Sequence, residues 1–184
     1  MGSSFSNMFS KPWQKKERKI LMLGLDYAGK TTILFKIKSG EIAQTIPCIG
    51  INIESIKYKN CKIDSWDVGG SDSLPSLRKH ICRDTEGLIF VVDSGDSSRI
   101  KNACVQLHKL LAQEELKNVP VLVLANRQDA GTMDVNEVID KLELAILKNH
   151  PWHCQGTCAI SGQGVNEGMN WLINELEAKN KPLI

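Results

Sequence analysis

With 184 residues, 42% of them hydrophobic and 24% charged, the chain is most simply one domain, long enough to bury a full core. The net charge of +2 makes no global case for nucleic acid, and no apolar run approaches the ~18 residues of a membrane-spanning helix or forms a signal-peptide core. The six cysteines (48, 61, 82, 104, 154 and 158) include no C-x-x-C pair, which suits the reduced thiols of a cytosolic protein.

The chain opens with Met1-Gly2-Ser3-Ser4-Phe5-Ser6, which fits M-G-x-x-x-[ST], the pattern for myristate on Gly2. Phe5, Met8 and Phe9 stand at i, i+3 and i+4, an apolar stripe on a short helix that Pro12 would end, with Trp13 placed for a headgroup boundary. One myristoyl chain binds membranes only marginally, so a second signal is needed. The stripe, together with Lys11, Lys15, Lys16, Arg18 and Lys19, supplies one. Residues 1–17 are therefore expected to be a lipidated amphipathic segment ahead of a domain of 18–184. The plainer reading is a helix packed on that domain, and both hold if they belong to different states.

The next stretch organises everything after it. Ile20-Leu21-Met22-Leu23 reads as a buried strand, Thr32-Ile33-Leu34-Phe35-Lys36-Ile37 as a helix, and between them lies Gly24-Leu25-Asp26-Tyr27-Ala28-Gly29-Lys30-Thr31. This is G-x-x-x-x-G-K-T in the strand-to-helix context a phosphate loop requires. The glycines let backbone N–H groups turn toward phosphate oxygens, and the helix N-terminus adds its positive dipole end. Asp26, Tyr27, Ala28, Gly29, Lys30, Thr31 and Thr32 are the candidate phosphate contacts. Lys30 is expected on the β- and γ-phosphates and the Thr31 hydroxyl on Mg²⁺.

Residues 41–48 read as irregular. Residues 49–59 and 62–66 read as two strands joined tightly at Asn60. Asp67-Val68-Gly69-Gly70-Ser71-Asp72 follows a strand end, where the Asp67 carboxylate could face the metal and the two glycines permit close approach to a phosphate. Continuous apolar runs at 87–93 and 119–126 predict strands covered on both faces, hence a largely parallel sheet. Ile100, Cys104, Leu107 and Leu111 mark one helix face, and Val165, Met169, Leu172, Ile173 and Leu176 another. Asp134-Val135-Asn136-Glu137 resembles a capping box. The alternation of strand and helix argues for a doubly wound α/β domain with a six-stranded, mostly parallel sheet.

The base is read from Asn126-Arg127-Gln128-Asp129 and Thr157-Cys158-Ala159-Ile160, each after a predicted strand. A carboxylate at Asp129 can accept from guanine N1–H and the 2-amino group together. Adenine offers an acceptor there and would leave the charge unpaired. This argues against an ATP-using phosphotransferase. His150, His153, Cys154 and Cys158 lie close in sequence, but strand alternation points His153 away from Cys154 and Cys158, against a shared zinc ion. His80 and His108 are expected at the surface or facing a partner.

Taken together, the segments MGSSFSNMF, LGLDYAGKTTIL, TIPCIGINIE, WDVGG, GLIFVVDS, LANRQDA, TCAISG and EGMNWL resemble a small GTPase of the ADP-ribosylation factor (Arf) family, almost without gaps from Gly2 to the final helix. The resemblance implies binding of GTP or GDP with Mg²⁺. It places Asn126, Arg127, Asp129, Cys158 and Ala159 on the base, Thr31, Cys48 and Asp67 on the metal, and Lys30, Gly70 and Ser71 at the reacting phosphate. It makes 41–54 and 67–82 the two switches, with a sliding hairpin between them that expels the N-terminal helix when GTP binds. It further implies attachment to Golgi or other endomembranes from the cytoplasm, work in vesicle traffic, and an exchange factor, a GTPase activator and effectors as partners. The effectors would meet Ile49, Ile51, Trp66, Leu77 and Ile81.

The chain departs from that pattern at several positions. Cys48 replaces the threonine that ligates Mg²⁺, and a thiol is a poor ligand for so hard a cation. Ser71 replaces the glutamine that orients the attacking water and is too short to reach the same place, so hydrolysis is expected to be very slow. Ile51 and Ile81 replace two of three aromatic effector contacts, leaving Trp66, while Arg127 replaces a lysine whose stem it can imitate. Two readings follow: a membrane-coupled GTP/GDP switch with slow turnover, or a nucleotide-binding scaffold that recruits partners in a fixed nucleotide state.

Overall fold

A computed structural model of the chain describes residues 17–39, 46–47, 53–66, 75–130 and 132–179. The strands are β1 (Arg18–Gly24), β2 (Ile46–Pro47), β3 (Ile53–Tyr58), β4 (Cys61–Trp66), β5 (Thr85–Asp93), β6 (Val121–Asn126) and β7 (Trp152–Gly156). The helices are α1 (Lys30–Ser39), α2 (Pro75–Cys82), α3 (Ile100–Leu111), α4 (Val135–Lys141) and α5 (Val165–Ala178). The sheet runs β2-β3-β4-β1-β5-β6-β7. From β4 to β7 every pairing is parallel, while β3 is antiparallel to β4 and β2 to β3. The six strands expected from sequence are all present, and the two-residue β2 extends the antiparallel edge to a seventh.

Period-2 alternation divides the central strands between two cores. On one face Leu21, Leu23, Leu88, Phe90, Val121 and Val123 pack with Ile100 and Leu107 of α3 and Val138 of α4. On the other, Ile20, Met22, Ile89, Val91, Leu122 and Leu124 meet Ile33 and Ile37 of α1 and Met169, Leu172 and Leu176 of α5. Both faces are covered, which is why these strands read as unbroken apolar runs. The helical stripes fall where their spacing predicts, and α4 begins in a capping box: Asp134 accepts from the Glu137 N–H at 2.9 Å, and Glu137 accepts from the Asp134 N–H at 3.0 Å. Among the described residues no helix is long and apolar enough to cross a membrane.

Three expectations change. The hairpin turns at Lys59-Asn60, with β4 starting at Cys61 and Lys59 in the left-handed region at φ 51°. His153 stacks on Trp171 and Cys154 enters the opposite core, as alternation requires, but Cys158 lies beyond β7 and takes no part in that alternation. His108 is half-buried rather than superficial, its Nε2–H donating to the Leu142 carbonyl at 2.9 Å, because α3 packs against the end of α4.

The topology fixes where a ligand can sit. β1 leads by α1 to the antiparallel edge, whereas the chain from β5 onward winds to the other edge. The crevice at such a switch point opens at the carboxyl ends of the strands, here Gly24, Asp93, Asn126 and Gly156.

Candidate nucleotide site

The loop from β1 to α1 is shaped by close backbone approach. Gly24 has φ +152°, and a Cβ there would sit 2.3 Å from the Val91 carbonyl oxygen. Gly29 has φ +99°, and its Cβ would sit 2.3 Å from Asn126 Nδ2. Neither position accommodates a side chain, so the loop presses against β5 and β6. Lys30, only 4% exposed, folds its Nζ back to donate to the Gly24 and Leu25 carbonyls, both at 2.9 Å. Thr31 and Thr32 lie exposed on the first turn of α1, which carries no acidic residue to offset the positive end of the helix dipole.

The base side is built on Asn126, 2% exposed at the end of β6. Its Nδ2 donates to the Ala28 carbonyl at 2.9 Å, while its Oδ1 accepts from the Ala159 N–H at 2.9 Å and the Thr157 hydroxyl at 3.3 Å. One side chain thus ties the phosphate loop to the turn after β7. Cys158 and Ala159 are buried in that turn, and the Cys158 N–H donates to the Gln163 carbonyl. Arg127, in the left-handed region at φ 64°, donates to the Tyr27 carbonyl at 3.2 Å and pairs with Asp93 at 3.0 Å. Asp129 is exposed two residues further along, and Tyr27, 84% exposed, projects from the loop.

Arg99, Asp93 and Asp96 also belong to the site, although no sequence motif marks them. Arg99 donates to the Asp26 carbonyl at 3.0 Å and also pairs with Asp96, so the start of α3 braces the phosphate loop from outside. The Asp96 carboxyl is held at about 2 by hydrogen bonds from Ser98 and then Arg99. Asp93 accepts from the Gly95 N–H at 2.8 Å while holding Arg127. Tyr27, Asp93, Asp96, Arg99 and Arg127 line an open cleft of about 530 Å³. Asp93 had a signal, a carboxylate ending an apolar strand. Arg99 had none, because its partner lies 73 residues away.

Of the other expected site residues, Gly2, Cys48, Ile49, Ile51, Asp67, Gly70 and Ser71 lie outside the described residues, as does the side chain of Leu77, which belongs to α2. Trp66 is half-buried against the core. Ile81 is corrected: at 7% exposure it belongs to the core with Leu21, Leu23 and Phe90, because its face of α2 turns toward the sheet.

A guanine nucleotide fits these residues. The loop packs on β5 and β6 too closely for a side chain at Gly24 or Gly29, a buried ammonium and a helix N-terminus supply positive charge for phosphates, and the Asn126 turn stands beside an exposed carboxylate. Of the expected Mg²⁺ ligands, Thr31 is within the described residues and suitably exposed at the head of α1. The family model described as "ADP-ribosylation factor family" matches residues 3–176. The chain belongs to that family and is a small GTP-binding protein of the Arf type.

Proposed function

We propose that the protein is a guanine-nucleotide switch coupled to membrane attachment, with intrinsically slow hydrolysis. The observation that supports the nucleotide reading most directly is Asn126, whose amide joins Ala28 of the phosphate loop to Ala159 of the base turn at 2.9 Å each. Such a link makes the phosphate and base halves of the pocket one rigid unit, so the cost of ordering them falls before the ligand arrives.

In this reading Lys30 meets the β- and γ-phosphates, backbone N–H groups of residues 26–32 surround them, and Asp129 accepts from guanine N1–H and its 2-amino group. The Arg127 stem covers the base face while its head stays anchored on Asp93 and Tyr27. Thr31, with Asp67 and the weaker ligand Cys48, would hold Mg²⁺, which when bound neutralises charge on the phosphate oxygens. Hydrolysis attaches a water oxygen to the γ-phosphorus, breaks the bond to the β–γ bridging oxygen, and releases GDP and phosphate. Catalysis of such a step is mainly positioning and charge stabilisation. Ser71 beside Gly70 lacks the reach to orient that water, hence the slow turnover.

The N-terminal segment carries the membrane half of the proposal. Myristate on Gly2, the Phe5-Met8-Phe9 stripe and the basic residues around it would together hold the GTP state on an endomembrane such as the Golgi. An exchange factor, a GTPase activator and effectors in vesicle traffic would then act there. A second reading rests on Cys48 and Ser71: a scaffold that recruits partners in one fixed nucleotide state.

Single-turnover hydrolysis of bound GTP with Mg²⁺ separates them, comparing the native chain with Cys48→Thr, Ser71→Gln and the double change. The switch reading expects slow native turnover that a GTPase activator accelerates. A native chain inert with and without activators, and active only as the double variant, establishes the scaffold. Native hydrolysis as fast as in the restored variants overturns the account of both positions.

A further inference from the structure

Cys104 and His108 stand one turn apart on α3, so both project from the same side of the helix. Glu143, two residues past the end of α4, comes to meet them. One ligand atom of each residue lies within 4.8 Å of those of the other two. We propose that Cys104, His108 and Glu143 form a binding site for a borderline-soft divalent cation of the zinc type. None of the three belongs to the nucleotide crevice, so the site is independent of the switch chemistry.

The donor set selects the ion. Thiolate, imidazole and carboxylate together suit zinc or cobalt, whereas magnesium and calcium prefer all-oxygen surroundings. Ligands bound at ~2.0–2.3 Å to a tetrahedral ion stand about 3.3–3.8 Å apart. Movement of the ligand atoms by roughly an ångström therefore closes the present triangle around an ion.

The imidazole is already prepared. Its Nε2–H donates to the Leu142 carbonyl at 2.9 Å, which leaves Nδ1 carrying a lone pair. A backbone carbonyl on the other ring nitrogen is the usual support of a metal-bound histidine. Glu143 sits in the left-handed region at φ 55°, where glycine would be the relaxed choice, and it places a carboxylate over α3. Cys104 and His108 are half-buried and Glu143 exposed, so the ion has both a dry side and a way in. Cation uptake would displace the thiol proton to solvent, forming the sulfur–metal bond. Three protein ligands leave a fourth position for water or for a donor from a partner, and the bound ion would clamp α3 to the end of α4.

The test titrates the full chain, loaded with GDP and excess Mg²⁺, first with Co²⁺ and then with Zn²⁺. The expected result is one equivalent of Co²⁺ giving a thiolate-to-cobalt band in the near ultraviolet with the visible bands of a four-coordinate site, displaced by Zn²⁺. Cys104→Ser should abolish the near-ultraviolet band. Glu143→Gln and His108→Gln should each weaken affinity by about tenfold or more while GDP stays bound. Absence of a thiolate band, its persistence in Cys104→Ser, or unchanged affinity in both other variants overturns the site. Should Cys104→Ser fail to fold, Glu143→Gln decides alone, because that side chain is exposed and its loss leaves the core intact.

Discussion

Asn126 and Ala28 stand 98 residues apart in sequence, yet the Asn126 amide donates to the Ala28 carbonyl at 2.9 Å in the buried floor of the nucleotide crevice. The same side chain accepts from the Ala159 N–H. Asn126→Ala would leave a buried carbonyl and a buried N–H without these partners, each costing about 1–3 kcal/mol. The expected outcome is a loss of roughly 2–4 kcal/mol in urea unfolding and GDP release faster by two orders of magnitude or more. Unchanged release of a fluorescent GDP analogue would separate Asn126 from nucleotide binding.

The two loop glycines should fail differently. A Cβ on Gly29 meets the movable end of the Asn126 side chain, whereas one on Gly24 meets the fixed Val91 backbone at the same 2.3 Å. Gly29→Ala is therefore expected to fold with a smaller loss than Gly24→Ala, strain at φ +99° included, and to release GDP much faster, as the displaced Asn126 gives up Ala28. Gly24→Ala should cost several kcal/mol by forcing β1 from β5. Thermal melts of the apo chains, set beside nucleotide release, distinguish the two.

The legibility of this chain follows the range of its interactions. The phosphate loop was visible because its chemistry is backbone chemistry written into eight consecutive residues. β5 and β6 were visible because burial on both faces leaves only apolar residues at 88–92 and 121–125. Ile81 was misplaced as a surface residue because the angle of α2 against the sheet is not encoded in α2 itself. His108 was misplaced because its partner, the Leu142 carbonyl, lies just past the end of another helix. Arg99 went unnoticed for the same reason: a backbone carbonyl at Asp26 gives no sequence signal of its partner. Contacts between side chain and distant backbone are what the sequence conceals.

Arg127 offers a graded test of how the base wall is held. Its guanidinium reaches Asp93 through one nitrogen and the Tyr27 carbonyl through another. An ammonium is a single point charge and cannot span both. Arg127→Lys is expected to keep the Asp93 pair and release GDP a few-fold faster, and Arg127→Ala about tenfold faster. Stability should change by less than about 1 kcal/mol in either, since the side chain is half exposed. Equal release rates for all three proteins would show that neither contact holds the base wall.

Cys154 predicts how the fold responds to alkali. Burial in the core beside β6 pushes its thiol up to about 12 from an ordinary value of 9.0. A pKa raised by folding means the native state holds its proton where the unfolded chain has lost it. The resulting stability is complete below about pH 9 and is lost as pH rises through that window toward 12. The slope this one thiol contributes is about 1.4 kcal/mol per pH unit. Cys154→Ala removes it, at the cost of a small cavity worth about 1 kcal/mol at neutral pH. Urea unfolding at pH 8, 9, 10 and 11 should therefore give a shallower decline for the variant than for the native chain. Parallel declines would place the alkaline loss elsewhere, with the thiol at Cys61, also raised first by burial, as the next residue to replace.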